Sequence, residues 1–133
     1  MSTGRQATIR RLGPGDEEVV RMLADGEAQT ALLADEATIF LAAFHDDEPV
    51  GFVFGYALPR RHGAPSILFV YELDVAEPHR RQGIAARLMH ELAEIARVCG
   101  IEDGFVLTGT DVDRGKQVLR LFQVPLSHLA RGA

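Results

Sequence analysis

The stretch from residue 71 to residue 85, Tyr-Glu-Leu-Asp-Val-Ala-Glu-Pro-His-Arg-Arg-Gln-Gly-Ile-Ala, sets two carboxylates, Glu72 and Asp74, just ahead of a basic turn of small residues. A carboxylate can accept a proton from a reacting group, directly or through water. The turn offers different chemistry. Where Gly83, Ile84 and Ala85 open a helix, the first N–H groups have no partner along the chain and carry partial positive charge, which suits a phosphate. Gly83 and Ala85 let a ligand approach the backbone, and Arg80 and Arg81 add charge. The plainer alternatives are a basic first turn that opposes the helix dipole and rests in solvent, and two solvated acids that only attract a cation. The turn lacks the Gly-Lys-Ser/Thr ending of a nucleotide P-loop, and its single glycine does not make a dinucleotide fingerprint.

These residues need a strand before them and a helix after them, and the sequence supplies both. Residues 67–75 read as one long strand whose last half alternates, with Tyr71, Leu73 and Val75 on one face and Glu72 and Asp74 on the other. The Glu77-Pro78 pair ends it. Residues 83–99 form the clearest helix, with Ile84, Leu88, Leu92, Ile95 and Cys99 on an apolar stripe and Arg87, Glu91 and Glu94 outside, Arg87 and Glu91 at ion-pair spacing. Gly100 is the stop. Upstream, residues 8–12 suggest a short strand, 17–25 a helix through Val19, Val20, Met22 and Leu23, and 28–33 a short helical turn. Residues 38–44 and 50–58 suggest a hairpin. Downstream, a strand at 104–107 precedes an acidic turn at 110–113 and a last helix through Val118, Leu119, Leu121 and Phe122.

The whole, residues 1–133, reads as a single domain large enough to bury its own core. The lone Cys99 excludes an internal disulfide, and no Cys/His cluster has metal-site spacing, so no metal is expected. Residues 1–11 are polar and basic, and no apolar run is long enough to cross a membrane. A soluble, cytoplasmic protein with no membrane partner is expected. Nineteen acidic against fourteen basic residues give a net charge of -5, which argues against nucleic acid and suits a cationic substrate.

The spacing Arg80-x-x-Gly83-x-Ala85 resembles the acyl-CoA pyrophosphate signature of the GNAT (GCN5-related N-acetyltransferase) superfamily, and the order of elements over residues 7–122 is similar to that family's. The segments 71–75 and 79–85, with Val50-Gly51-Phe52-Val53, Tyr56 and Leu58-Pro59-Arg60, most resemble aminoglycoside 3-N-acetyltransferases of the gentamicin type. The resemblance implies an α/β fold with a mixed, mostly antiparallel sheet flanked by helices. It implies acetyl-CoA as co-substrate and a primary amine, such as an aminoglycoside antibiotic, as acceptor. Backbone groups of Leu73, Asp74 and Val75 would hold the pantetheine arm, and residues Arg80, Arg81, Gln82, Gly83, Ile84 and Ala85 the pyrophosphate. Glu72 or Asp74 would act as base, with an N–H near Val75 for the oxyanion. Asp111 and Asp113 would sit at the acceptor mouth, although an Asp-rich turn before a helix equally suits capping.

The end of the chain departs from the family pattern. Phe122 stands where many members carry a proton-donating Tyr, Arg114 stands at an Asn position, and residues 123–133 offer no further strand. A sheet lacking its last strands would leave residues 104–107 as an open edge, so a homodimer is expected. With no activated Ser or Cys in view, transfer would be direct, in a ternary complex. Cys99 reads as core rather than as a nucleophile, and His79 either touches phosphate or is solvated. The alternatives are acetylation of a peptide or protein amine, and a degenerate acyl-CoA-binding or interaction module.

Overall fold

The computed structural model describes residues 6–24, 26–63, 65–113 and 116–125, from residue 107 onward as backbone only. Six strands form one sheet in the order β1-β2-β3-β4-β5-β6. They are β1 (Thr8–Arg11), β2 (Thr38–His45), β3 (Glu48–Leu58), β4 (Ile67–Val75), β5 (Asp103–Asp113) and β6 (Lys116–Pro125). Every neighbouring pair is antiparallel except β4 and β5, which run parallel. Helix α1 (Glu17–Leu23) and a 3-10 turn (Thr30–Ala34) follow β1, a second 3-10 turn (Glu77–His79) follows β4, and helix α2 (Ile84–Val98) connects β4 to β5. A parallel pair needs such a crossover, because a hairpin turn cannot reverse the chain twice.

The two faces of the sheet hold separate cores. On one side Leu88, Leu92 and Ala96 of α2 pack on Leu41, Val53, Leu68 and Val70. On the other, Val20 of α1 and Leu33 of the 3-10 turn pack on Phe40, Ala42 and Phe54. Covered on both faces, β2 is buried from Thr38 to Phe44, which is why it reads as an unbroken apolar run rather than an alternating one. Leu41, Leu68, Leu88 and Leu92 are almost wholly buried. Truncating any of them to Ala would cost about 2–5 kcal/mol.

Helix α2 ends as its sequence predicts. Gly100 adopts φ 86°, and the N–H groups of Gly100 and Ile101 donate to the carbonyls of Arg97 and Ala96 at 3.0 Å each, closing the last turn. Cys99 differs from expectation: it lies beyond the last helical residue and is exposed. The apolar stripe stops at Ala96, so a residue one turn further on has no core to face.

The end of the chain also differs. The segment expected to be a last helix is β6, paired with β5 from Asp103↔Pro125 to Asp113↔Lys116, and the acidic residues 110–113 belong to β5 rather than to a turn. The apolar positions 118, 121 and 122 fit a helical spacing as well as a strand, and the open flank of β5, a long-range partner, decides between them. The sheet therefore does not stop at β5. The homodimer expectation rested on an open β5 edge, and that edge is covered; the outer strands are β1 and β6. Residues 126–133 lie outside the described residues. Among the described residues no helix is long and apolar enough to cross a membrane.

Candidate active site

The site grows from an irregularity in β4. Pairing with β3 runs Gly55↔Val70 and then Phe54↔Glu72, so Tyr71 is an extra residue, a β-bulge. Gly55 permits it: a Cβ there would lie 2.6 Å from the Phe69 carbonyl oxygen. The bulge shifts the alternation by one. Leu73 pairs with Val53 and Val75 joins the α2-side core, whereas Tyr71, Glu72 and Asp74 together line a cavity on the opposite face. The expectation that Tyr71 shares a face with Leu73 and Val75 is thus corrected. A period of two cannot register an inserted residue.

The same irregularity marks where β4 leaves β5. The two strands pair only from Ile67↔Asp103 to Val70↔Val106. Beyond Val70, β4 continues to Val75 on β3 alone, while β5 continues to Asp113 on β6 alone. A wedge opens between them, and the main chain of residues 71–75 flanks it.

The cavity on the α1 side has a volume of about 520 Å³, within the range of small-molecule sites. Phe40, Phe52, Phe54, Tyr56 and Tyr71 form its wall, with Phe54 stacked on Phe40 at 5.0 Å between centroids and the Tyr56 and Tyr71 rings edge-on at 5.8 Å. Among the described residues, its charged lining residues are Glu27, Glu72 and Asp74, all acidic. Burial pushes the Tyr56 phenol above its ordinary pKa, with Tyr71, Asp35 and Glu72 adding to the rise, so its proton is held more tightly. The aromatic wall, Glu27 and Gln29 were missed by sequence reasoning. The spacing Phe52-x-Phe54-x-Tyr56 on one strand face was the available signal.

A second, smaller cavity of about 230 Å³ lies at the start of α2, lined by Val75, His79, Arg80, Arg81, Gly83, Ile84, Ala85 and Ala86. Arg81 and Gly83 both have left-handed backbone, at φ 65° and 82°, which bends the loop before α2. Nothing lies within 4 Å of the place a Gly83 Cβ would occupy, so the loop faces open space. Ile84 is buried in the α2 core and offers a ligand only its main chain. Gln82 and Leu73 line neither cavity. Arg80 is turned back on the protein: its Nε donates to the Val75 carbonyl at 2.7 Å and its Nη2 to Asp74 Oδ1 at 3.4 Å. Asp74 therefore lines the larger cavity and touches a residue that lines the smaller. The His79 ring lies tilted against that of His45, 5.1 Å between centroids. Asp111 and Asp113 are placed only as backbone, opposite Val118 and Lys116; their side chains lie outside the described residues. Among the described residues no group of three His, Cys, Asp or Glu side chains gathers as a metal ion would require.

This arrangement has relatives. Residues 8–124 match the family model described as the acetyltransferase (GNAT) family. The L-2,4-diaminobutyric acid acetyltransferase of Methylotuvimicrobium alcaliphilum is 47% identical over 49 residues, 37% of this chain and only 27% of that protein. Among solved structures, an aminoglycoside acetyltransferase from an uncultured soil metagenomic sample superposes with a TM-score of 0.72 at 26% identity, over 81% of this chain and 83% of that one. A ribosomal-protein-alanine N-acetyltransferase from Brucella melitensis biovar Abortus 2308 superposes with a TM-score of 0.66 at 27% identity, over 77% and 79%. The family model spans nearly all the described strands and both helices, and the wedge beside β4 and the loop before α2 fall within it; the chain belongs to the GNAT acetyltransferase family.

Proposed function

We propose that this protein transfers the acetyl group of acetyl-CoA to a primary amine within a ternary complex. The observation that carries the reading is the bulge at Tyr71, which brings Glu72 and Asp74 to the aromatic cavity at the point where β4 parts from β5. Acetyl-CoA, the family's co-substrate, supplies an activated thioester. The residues present fit it: the open main chain of residues 71–75 can pair with an extended amide-bearing arm, and the left-handed loop at Arg81 and Gly83 can turn N–H groups toward a pyrophosphate.

The amine enters the larger cavity as an ammonium and gives one proton to Glu72 or Asp74. Its nitrogen then bonds to the thioester carbon, an N–H near Val75 holding the developing oxyanion. The carbon–sulfur bond breaks, the second proton of the nitrogen passes to the departing thiolate, and an acetamide and free CoA result. No covalent acyl-enzyme is needed.

An aminoglycoside acceptor, and with it a role in antibiotic resistance, is supported by the likeness of residues 71–85 to gentamicin-type enzymes and by the metagenomic aminoglycoside acetyltransferase. A peptide amine is the second reading, favoured by the ribosomal-protein-alanine relative. A cytoplasmic location is supported by acetyl-CoA as the donor, a compound of the cell interior. The test is release of CoA thiol with a panel of amines, for the wild type and for Glu72→Gln and Asp74→Asn. The amide variant of the true base should lower kcat by about 100-fold or more with CoA affinity nearly unchanged. Full turnover in both variants would leave catalysis to positioning alone. Binding of CoA with no turnover on any amine would support a binding module instead.

A further inference from the structure

We infer that the Tyr71 hydroxyl protonates the departing thiolate and takes the second proton of the acceptor nitrogen in exchange. The inference rests on the acetyltransferase reading above and supplies a carrier for the proton transfer that the reading leaves open. The position of Tyr71 is the first ground. It is the inserted residue of the β4 bulge, and pairing between β4 and β5 ends one residue earlier, at Val70↔Val106. Tyr71 is therefore the first residue of β4 to flank the wedge. Its ring is also held from both sides. It lies 5.3 Å from Phe54 and 5.8 Å from Tyr56, on β3, and edge-on at 5.7 Å to Phe69 of β4. Phe69 in turn stacks on Phe105 of β5 at 4.7 Å, the two rings 6° from parallel. The Tyr71 ring thus stands between the wall of the aromatic cavity and the last paired residues of β4 and β5, where cavity and wedge meet.

Chemistry separates Tyr71 from its neighbours. Among the described residues that line the cavity, the two tyrosines are the only side chains besides the carboxylates that can exchange a proton. An ionised carboxylate has no proton to give and repels a thiolate formed beside it. Tyr56 is the poorer donor, because burial holds its proton more tightly. Tyr71 is exposed, and among the described residues its hydroxyl makes no hydrogen bond, so its proton is not committed elsewhere. A hydroxyl can donate one proton while its oxygen accepts another. Tyr71 gives its phenolic proton to the sulfur as the carbon–sulfur bond breaks, the electron pair of that bond staying on sulfur, and its oxygen takes the proton that the nitrogen sheds. Tyr71 ends the step as a phenol again, and no net charge is left in the site.

The test compares the wild type with Tyr71→Phe, which keeps the ring and removes only the hydroxyl. The chain has two tyrosines, so the difference between the two proteins isolates the ultraviolet phenolate band of Tyr71. With CoA bound, that band should appear at a pH higher by about one unit or more, because a thiolate beside the phenol accepts its hydrogen bond and opposes its ionisation. Desulfo-CoA, which lacks the sulfur, should leave the band where it is in the free protein. In turnover with acetyl-CoA and either gentamicin or a peptide with an N-terminal alanine, Tyr71→Phe should lower kcat by about 100-fold and leave KM for acetyl-CoA within about threefold. An aryl thioester as donor, whose thiolate leaves without a proton, should shrink that loss to less than about fivefold. A phenolate band that responds alike to CoA and desulfo-CoA, or full turnover by Tyr71→Phe, would overturn the inference and leave the acetyltransferase reading standing. A wild type that binds CoA and acetylates no amine would overturn that reading, and the inference with it.

Discussion

Arg80 and Val75 are joined by a 2.7 Å hydrogen bond from Nε to the carbonyl oxygen, which ties the loop before α2 to the last residue of β4. On the acetyltransferase proposal, Arg80 would act by positioning, since the group expected to reach for phosphate is bonded to Val75 and Asp74. Arg80→Ala should raise KM for acetyl-CoA about tenfold, the equivalent of one lost charge-assisted hydrogen bond, with a much smaller change in kcat and in Tm. Arg80→Lys should restore little, because a single ammonium cannot reproduce the fork that spans Val75 and Asp74. A proportional fall in kcat would mean instead that Arg80 acts on the reacting atoms.

Gly83 and Arg87 lie one turn apart and should behave differently. Gly83→Val forces a branched residue into φ 82° and fills the open space above the loop. CoA affinity should fall by about 30-fold or more, from strain of about 1–2 kcal/mol together with lost access. Arg87→Ala should change it less than about threefold. Calorimetric titration of CoA that gave equal losses for both would sink the assignment of this loop to the pyrophosphate. Circular dichroism on Gly83→Val keeps a frayed α2 from being mistaken for lost contact.

Asp16, just before α1, should make the fold acid-sensitive. Its carboxylate accepts a hydrogen bond from the Gly13 N–H and another from Arg10, each at 2.9 Å, and these hold its pKa below the ordinary value of 3.8. A lowered folded-state pKa stabilises the protein above the ordinary value, and that contribution disappears as pH falls through the folded one. Asp16→Asn should therefore cost under about 1 kcal/mol near neutral pH, after allowance for solvent screening at the half-exposed Arg10. The gap between the two melting curves should close as pH drops below 3.8. A gap that widened in acid would reverse the assignment.

Thr38 is only 5% exposed, and its hydroxyl finds no partner among the described residues. A buried hydroxyl without a hydrogen bond is a cost that the isosteric methyl of valine removes, and β2 is a strand, where valine is at ease. Thr38→Val should raise stability by about 1 kcal/mol. Urea denaturation that showed a loss of that size would mean the hydroxyl is bonded after all.

Much of the scaffold was written in local sequence. The limits of β4 and the stop at Gly100 are set by residues in direct succession: an apolar run cut by Glu77-Pro78, and a glycine free to adopt positive φ after an amphipathic repeat. The turn before α2 was legible for the same reason, since Gly83, just ahead of the amphipathic repeat, takes positive φ. Tertiary structure decided three other matters. The strand β6 replaced an expected helix because the flank of β5 offered a partner 20 residues away in the Gly104↔Val124 pair, and local periodicity carries no information about such a partner. Cys99 left the core because the apolar stripe of α2 ended one turn earlier. The acceptor cavity was hidden because it exists only when the bulge at Tyr71 turns three β4 side chains toward one face, where rings from β2 and β3 and Glu27 from beyond α1 already converge. A sequence displays the residues of such a site one by one, and only the pairing of distant strands brings them within reach of one ligand.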